Sequence, residues 1–170
     1  MTNTTRTALI GLGSNKSWLG QDPESVVRGA AAALSALGQN VTLSSLYDSP
    51  AWPDPAAPSY VNGAASVETT LPAEAVLQGL LAIEAAFGRV RSDKPEERYA
   101  PRTLDLDLLA VADERSATAH LTLPHHGIEA RDFVLLPLAD IAPQWRHPVS
   151  GKSVAELIAA LPAVTAQRRG

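Results

Sequence analysis

Two helices with clear start and stop residues lie between strand-like segments of this chain. Residues 22–24 (Asp-Pro-Glu) combine a capping side chain, a proline at the first helical position and an acidic side chain near the positive end of the helix dipole. Apolar residues then recur at helical spacing until Gly38, which stops the helix. A second helix is predicted to open at Pro72 and to end at Gly88. The fold must therefore accommodate strands before, between and after two helices.

The strand-like segments predict four strands, at residues 6–12, 41–47, 60–68 and 103–111. Together with the two helices they give the order β-α-β-β-α-β. This is the order of the ferredoxin-like split βαβ unit, an antiparallel sheet with helices on one face. The predicted fold class is therefore α+β. Because this fold hosts many unrelated functions, the function has to be inferred from the site.

The remaining segments predict additions to this unit. The proline-rich segment 49–59 is predicted to be an extended loop, because proline excludes both a helix and a central strand there. The C-terminal part predicts three further elements: a short strand at 121–123, a helix at 129–141 that Pro137 breaks, and a helix at 153–161. The tail, residues 167–170, is expected to be frayed.

Length and composition narrow the class of protein. The chain has 170 residues, a formal net charge of −4 and no cysteine. This length suits one domain over residues 1–170, and the lack of cysteine excludes a disulfide scaffold, a thiolate metal site and a cysteine nucleophile. A pI of about 5.5 argues against a nucleic-acid-binding protein, and the apolar stretches are too short to span a bilayer. Since residues 1–6 do not have the pattern of a signal peptide, we expect a cytoplasmic protein.

Residues 104–108, in which leucine and aspartate alternate, form the most informative run. On a strand the leucines would point into the core, and Asp105 and Asp107 would share the opposite face, about 7 Å apart along the backbone. Carboxylates placed in this way can bind one cation or bridge two, and an oxygen-only ligand set favours Mg²⁺. The same pattern is also typical of an ordinary exposed strand face, which stays open as an alternative.

Arginine residues concentrate next to this run. Arg98 and Arg102 come just before it, and Arg89 and Arg91 lie at the other end of the same predicted loop. Guanidinium groups beside metal-binding carboxylates suit a polyphosphate, because the metal ion neutralises some oxygen atoms and the planar forks hold others. The cluster therefore predicts a site for a phosphorylated ligand.

Two other motifs do not predict a site of their own. Residues 11–17 superficially resemble a P-loop, but the spacing of the glycines and the lysine differs from that motif. His125 and His126 are adjacent, and no third ligand lies at a spacing typical of zinc sites. His147 is interpreted as a structural residue.

The run at residues 99–107, Tyr-Ala-Pro-Arg-Thr-Leu-Asp-Leu-Asp, closely resembles the signature of the 6-hydroxymethyl-7,8-dihydropterin pyrophosphokinase family. Further motifs of that family follow in the same order along the chain: Gly13-Ser14-Asn15, Tyr60-Val61-Asn62, Ile83-Glu84 before Gly88-Arg89-Val90-Arg91, Leu123-Pro124-His125 and the segment 131–143. The resemblance covers about residues 6–160, and the signature is its most specific part.

The resemblance implies a fold and an activity. The family has a ferredoxin-like α+β fold, and it transfers pyrophosphate from ATP to the hydroxymethyl group of the dihydropterin, releasing AMP. It uses two Mg²⁺ ions, with ATP as co-substrate and without a Walker motif. The expected partners are these small molecules, with no nucleic acid and no membrane, and the expected state is a monomer.

The resemblance also implies three sets of site residues. The metal ligands would be Asp105 and Asp107. The residues around ATP would be the catalytic Arg89, Arg102 and His125, the last near the bond that is broken, together with Arg91, Arg98, Tyr99, Thr122 and Arg131. The pterin would lie between the rings of Tyr60 and Phe133, with Asn62 bonding its edge and with backbone groups near Ser49 and Pro50 facing it.

The chain departs from the family pattern at a few positions. Tyr99 stands where the family usually has tryptophan, and His126-Gly127 replaces a common Pro-Arg pair. The arginine-rich loop is also a few residues longer than in compact members, and we expect it to be mobile. Two other functions remain as alternatives: a metal-dependent phosphohydrolase that uses the same aspartates, and a non-catalytic ligand-binding domain on a ferredoxin-like scaffold.

Overall fold

The structure is a computed structural model that describes residues 3–170. Six of its strands form one central antiparallel sheet. The strands are β1 (Arg6–Ser14), β2 (Gln39–Leu43), β3 (Tyr47–Ser49), β4 (Tyr60–Thr69), β5 (Asp105–Val111), β6 (Ser116–Ala117), β7 (Thr122–Leu123) and β8 (Gln167–Arg168). The α-helices are α1 (Pro23–Ala33), α2 (Ala73–Ala86), α3 (Asp132–Ile141) and α4 (Val154–Ala159). Within the described residues no helix is both long and apolar enough to cross a bilayer.

The order of the sheet confirms the predicted ferredoxin-like α+β fold. Neighbouring strands follow the order β5-β1-β4-β3-β8, and β2 also pairs with β4. The single strand predicted at residues 41–47 is in fact two, β2 and β3, which pair with successive parts of β4. Ser44 lies between them and both donates to and accepts from the backbone of Ala64, so that the chain stays attached to β4 across the break.

Helix α1 begins as predicted. The Asp22 carboxylate accepts a hydrogen bond from the N–H of Ser25 at 2.8 Å, and Pro23 is the first helical residue. The chain then passes through a short 3₁₀ turn to Gly38. A Cβ atom at Gly38 would lie 2.0 Å from the carbonyl oxygen of Glu68, so the close approach of β4 requires glycine there.

Two apolar cores lie on the two faces of the sheet. On one face, β1 residues such as Ile10 and Leu12 pack against α1 and α2. On the other, Leu9 and Leu109 pack against residues of α3 and α4, including Leu138 and Leu157. The expected arrangement, with helices on one face, therefore describes only α1 and α2. The C-terminal additions cover part of the opposite face.

The expectation that Pro137 breaks its helix is wrong. Helix α3 runs without interruption through Pro137, and it starts at Asp132 after a separate 3₁₀ turn at Ile128–Ala130. Proline removes a single backbone donor at this position. Leu135 and Leu138, on either side of it, are fully buried in the second core, and this burial offsets the loss.

The expectation of a frayed tail is also wrong. Strand β8 pairs with β3, so residues 167–168 become the edge of the sheet. Beyond them, Arg169 donates to the carboxylates of Asp48 and Glu24, and its N–H donates to the carbonyl of Leu46 at 2.8 Å. The local sequence has no strand pattern, and pairing with β3 supplies the order instead.

Asp132 joins α3 to the segment before β8. Its carboxylate accepts hydrogen bonds from the N–H groups of Thr165, Ala166 and Phe133. Burial alone would raise the pKa of Asp132, but these hydrogen bonds outweigh it and lower the pKa below its usual value. A carboxylate with a lowered pKa stabilises the fold above the unfolded-state pKa, and this contribution is lost as the pH falls through the lower, folded-state value.

We therefore expect Asp132→Asn to lower the free energy of unfolding at pH 7 by about 1.5–3 kcal/mol, the typical contribution of hydrogen bonds to a charged group. Urea unfolding measures this, and the difference between the parent protein and the variant should shrink below about pH 4. Asp113→Asn is the control, because Asp113 is exposed in the turn after β5. A pH-independent difference would contradict the assigned role of the charge.

Candidate active site

Strand β5 presents two carboxylates on one face of the sheet. Leu104, Leu106 and Leu108 are buried in the first core, as the alternation predicts. Asp105 and Asp107 alternate with them and remain partly exposed on the other face. The two aspartates therefore lie next to each other on the same face of β5.

A row of residues without bulky side chains runs across the sheet from these carboxylates. In the strand register, Gly13 of β1 lies opposite Asp105 on one side and opposite Asn62 of β4 on the other. Gly11 lies opposite Asp107 in the same way. Because both positions are glycine, β1 adds no side chain to this row. The Asn62 side-chain oxygen and the Tyr60 ring take up the room at Gly13, at 3.3 and 3.5 Å from where a Cβ atom would lie.

The expected pterin residues begin at the far side of this row. Asn62 is buried and donates from its side-chain amide to the hydroxyl of Ser49 at 2.6 Å. Ser49 pairs with Tyr60 across strands β3 and β4. The Tyr60 ring is half-buried beside Gly13, and burial raises the pKa of its hydroxyl. The sheet therefore brings three of the predicted substrate residues together.

Gly13 was not among the predicted site residues, and its place predicts a measurable effect. A Cβ atom at Gly13 would lie 3.3 Å from the Asn62 side-chain oxygen, so Asn62 would have to shift. If Asn62 bonds the pterin edge, Gly13→Ala should raise the KM for the dihydropterin about tenfold, the equivalent of about 1.4 kcal/mol. Steady-state kinetics with saturating ATP measure this.

Gly11→Ala is the matched control on the same strand. The three atoms nearest to its added methyl group would all belong to the Leu109 side chain, the first at an ordinary 3.5 Å. A clearly smaller rise in the KM for the dihydropterin is expected for this variant. Equal effects of the two alanines would contradict the assigned role of Gly13.

Two of the five predicted site arginines contact the carboxylate of Asp105 directly. Arg102 Nη1 lies 3.2 Å from one oxygen of Asp105, and Arg89 Nη1 lies 3.4 Å from the other. Arg89 is mostly buried and also donates to the carbonyl of Leu104 at 2.9 Å. The structure therefore brings both predicted catalytic arginines to the same aspartate.

The segment between these arginines forms one wall of a cleft of about 360 Å³. Basic side chains line much of it: Lys16, Arg89, Arg91, Lys94, Arg98 and Arg102. Asn15 fixes one end of this segment, because its amide oxygen accepts the N–H of Arg102 at 2.7 Å and its own N–H donates to the Arg102 carbonyl at 3.1 Å. Sequence reasoning assigned no role to Asn15 or Lys16, although Asn15 belongs to the Gly-Ser-Asn motif.

His125 faces Asp107 from the other side. Its backbone N–H donates to the carbonyl of Leu109 at 2.8 Å, which holds it beside β5. Nδ1 accepts the N–H of Gly127 at 3.0 Å, and Nε2 lies 3.7 Å from Asp107 Oδ1. Burial, together with the neighbouring His126 and Arg131, lowers the pKa of His125 to about 4. The ring is therefore neutral at pH 7, and with Nδ1 as acceptor its proton is on Nε2.

Asp107 has the electrostatic character of a cation ligand. Burial, and next to it the charge of Asp105, raise the pKa of Asp107 to about 7. A bound cation would relieve both effects. Within residues 3–170 no cluster of three or more metal-binding side chains is found. A cation held by these two carboxylates would therefore take its other ligands from water and phosphate, which is how Mg²⁺ is usually bound.

The other predicted residues border the site less closely. The Tyr99 ring packs edge-on against Trp52 at 5.3 Å, with Arg98 over it, and about half of its surface is exposed. The Arg131 guanidinium lies 5.9 Å from the centre of the Phe133 ring. Two further predicted residues, Pro50 and Thr122, are exposed.

Two carboxylates, two arginines paired with one of them, and a histidine 3.7 Å from the other lie beside a cleft lined by basic side chains. These are the groups that an enzyme of the phosphate-group-transfer class needs. Comparison with known proteins identifies the family more closely. The family model for 7,8-dihydro-6-hydroxymethylpterin-pyrophosphokinase (HPPK) matches residues 9–143. The chain therefore belongs to this family.

Several curated relatives agree with this assignment. The 2-amino-4-hydroxy-6-hydroxymethyldihydropteridine pyrophosphokinase of Synechocystis sp. is 42% identical over 151 residues, which are 89% of this chain and 74% of that protein. The protein of the same name from Pseudomonas aeruginosa is 39% identical over 155 residues, 90% of each chain.

Solved structures show the same fold. A Plasmodium falciparum HPPK-DHPS triple mutant with SDX-DHP superposes with a TM-score of 0.70 at 14% identity, over 92% of this chain and 44% of that one. The wild-type protein with pteroate also gives 0.70 at 13% identity, over 94% of this chain and 45% of that one. The chain thus spans less than half of those longer proteins.

Proposed function

We propose that this protein transfers the pyrophosphate group of ATP to the hydroxymethyl group of 6-hydroxymethyl-7,8-dihydropterin in folate biosynthesis, giving the dihydropterin diphosphate and AMP. The observation that carries the proposal is the row Asp105–Gly13–Asn62 across three adjacent strands. It places a carboxylate, a glycine and a buried amide side by side, which supports a site where a metal-bound phosphate and a pterin would be neighbours. Membership of the pyrophosphokinase family supports the same reaction.

Asp105 and Asp107 are proposed to hold two Mg²⁺ ions. The oxygen-only donor set and the electrostatic strain at Asp107 fit this role. When bound, the ions neutralise phosphate charge and orient the phosphate oxygens. In this chain the two carboxylates are held by β5, which has Leu106 buried between them as an anchor.

The hydroxyl oxygen of the pterin substrate is proposed to attack the β-phosphorus of ATP, as the bond from that phosphorus to the oxygen bridging it to the α-phosphorus breaks. AMP leaves with that oxygen, and the hydroxyl proton is released. Arg89 and Arg102 stabilise the charge that develops on the phosphates. The Nε2–H of the neutral His125 can donate a hydrogen bond to a phosphate oxygen beside Asp107.

The other residues are proposed to bind the two substrates. Arg91, Arg98, Tyr99, Thr122 and Arg131 hold the nucleotide. Tyr60 and Phe133 stack on the pterin, Asn62 bonds its edge, and the backbone at Ser49 and Pro50 faces it. The buried bond from Asn62 to Ser49 supports this assignment, because it fixes the amide in one orientation.

The proposal treats residues 1–170 as one catalytic domain that acts as a monomer in the cytoplasm. The two cores support the single domain, since both use strands β1 and β5 of the same sheet. The phosphohydrolase and ligand-binding alternatives are not favoured, because the family and the named relatives are pyrophosphokinases.

Nucleotide analysis by chromatography tests the reaction. The purified protein should form AMP and the pterin diphosphate in equal amounts, and only when Mg²⁺, ATP and the hydroxymethyl dihydropterin are all present. Dihydropterin lacking the hydroxyl group is the matched control and should give no AMP. ADP as the sole nucleotide product, or release of nucleotide without the pterin, would show a different activity.

A further inference from the structure

Glu84, near the end of α2, is a buried carboxylate. Its side chain is 1% exposed, whereas Glu74 in the first turn of the same helix is exposed. An ionised carboxylate is rarely buried without several polar partners, because removing it from water is costly. Its partners therefore indicate what it does.

One carboxylate oxygen of Glu84 binds the strand that carries the metal ligands. Oε2 accepts the backbone N–H of Leu106 at 2.8 Å, the amide midway between Asp105 and Asp107. Strand β5 lies at the edge of the sheet, so its outward N–H groups have no neighbouring strand to pair with. Glu84 thus takes the place of a strand partner where the two carboxylates are attached.

The same side chain also binds the start of the arginine-rich segment. Its Oε1 accepts a hydrogen bond from Arg91, and Arg89 Nη1 lies 3.8 Å from Oε2. The backbone N–H of Arg89 donates to the Glu84 carbonyl at 3.0 Å. One buried residue therefore contacts both the strand of the aspartates and the first two arginines of the segment.

We propose that Glu84 is a positioning residue that sets the metal-binding strand and the phosphate-binding arginines relative to each other. It touches no reacting atom and acts through Leu106, Arg89 and Arg91. This inference rests on the proposed function, since it assigns those arginines to ATP.

The charge of Glu84 is essential to this role. A glutamine of the same shape can still accept the N–H of Leu106, but it gives Arg91 no ion pair and weakens the hold on Arg89. A role in packing alone would need only shape and the hydrogen bond. The two roles therefore differ in what Glu84→Gln does.

Binding measurements on Glu84→Gln, with Glu74→Gln as the matched control on the same helix, test the proposal. Calorimetry with Mg²⁺ and a non-hydrolysable ATP analogue should show affinity about tenfold weaker for Glu84→Gln, within the usual range of coupling between sites. Affinity for the dihydropterin should change less than twofold. Glu74→Gln should match the parent for both ligands. A folded Glu84→Gln protein that binds the analogue like the parent would overturn the proposal, as would equal weakening of both ligands.

Hydrogen exchange without ligands provides a second test that does not need Glu84→Gln to fold. In Arg91→Gln the ion pair is lost at its exposed end, and the exchange of the Leu106 amide should become at least about threefold faster. Unchanged exchange at Leu106 would show that Glu84 does not link the two segments. This test also separates failure of the inference from failure of the proposed function. If the proposed function were wrong, the parent protein would form no AMP, but the exchange rate of the Leu106 amide, measured without ligands, would be unaffected.

Discussion

Asp107→Asn is expected to lower kcat by about 10³-fold or more while the protein keeps its fold. The change leaves the shape of the side chain almost unaltered, but it removes one of the two charges that would hold Mg²⁺. A loss of about 4 kcal/mol of transition-state stabilisation corresponds to this factor, which is typical of the contribution of a metal ion to charge stabilisation.

The fold should survive because Asp107 contributes little to the packing. Its one ion-pair contact among the described residues is to His125 at 3.7 Å, and burial and the charge of Asp105 make the ionised form unfavourable. Thermal unfolding should therefore show a midpoint equal to or above that of the parent. The test combines this unfolding midpoint with the rate of AMP formation, measured for parent and variant over a range of Mg²⁺ concentrations.

Asp113→Asn is the control for the loss of an acidic charge just beyond the same strand. Asp113 is exposed in the turn that follows β5. It should keep full activity. An Asp107→Asn enzyme that retains more than a tenth of the parent activity would refute the metal-binding role.

Arg102→Ala is expected to lower kcat by about 10³-fold, the lower end of the range for an arginine that stabilises phosphoryl-transfer charge. Both the backbone and the side chain of Arg102 are held in place. Asn15 accepts its backbone N–H, and its guanidinium contacts Asp105 and donates to the carbonyl of Arg98. Such a pre-oriented fork can hold phosphate oxygens without reorganising.

Arg102→Lys should recover only part of the activity, because an ammonium group supplies the charge without the planar fork. Arg28→Ala serves as the control, since Arg28 lies on α1 in an exposed pair with Glu24. Single-turnover rates at saturating ATP separate an effect on chemistry from one on binding. If lysine restored the full rate, charge alone would be sufficient and the fork assignment would be wrong.

Much of the site could be predicted because its chemistry is carried by local patterns. The alternation at 104–108 placed Asp105 and Asp107 on one strand face, and the structure confirms that placement. Periodicity also predicted α1 and α2, whose caps and apolar spacing are properties of adjacent residues.

The predictions from sequence were wrong where contacts between distant segments decide the structure. The tail, 167–170, has no strand pattern and is ordered by pairing with β3 and by the ion pairs of Arg169. Pro137 stays within α3 because its neighbours are buried in a core that also includes β1 and β5 residues. Neither contact can be inferred from a local window of sequence.

The sequence by itself thus determined helices α1 and α2, the pair of carboxylates and the arginines that follow α2. Only the tertiary structure showed that Gly13 lies between Asp105 and Asn62 in the strand register, and that Glu84 binds both the strand of the aspartates and the arginines that follow α2. The reason is physical. Side-chain periodicity depends on residues a few positions apart, whereas strand register and the pairing of buried charges depend on which segments pack together.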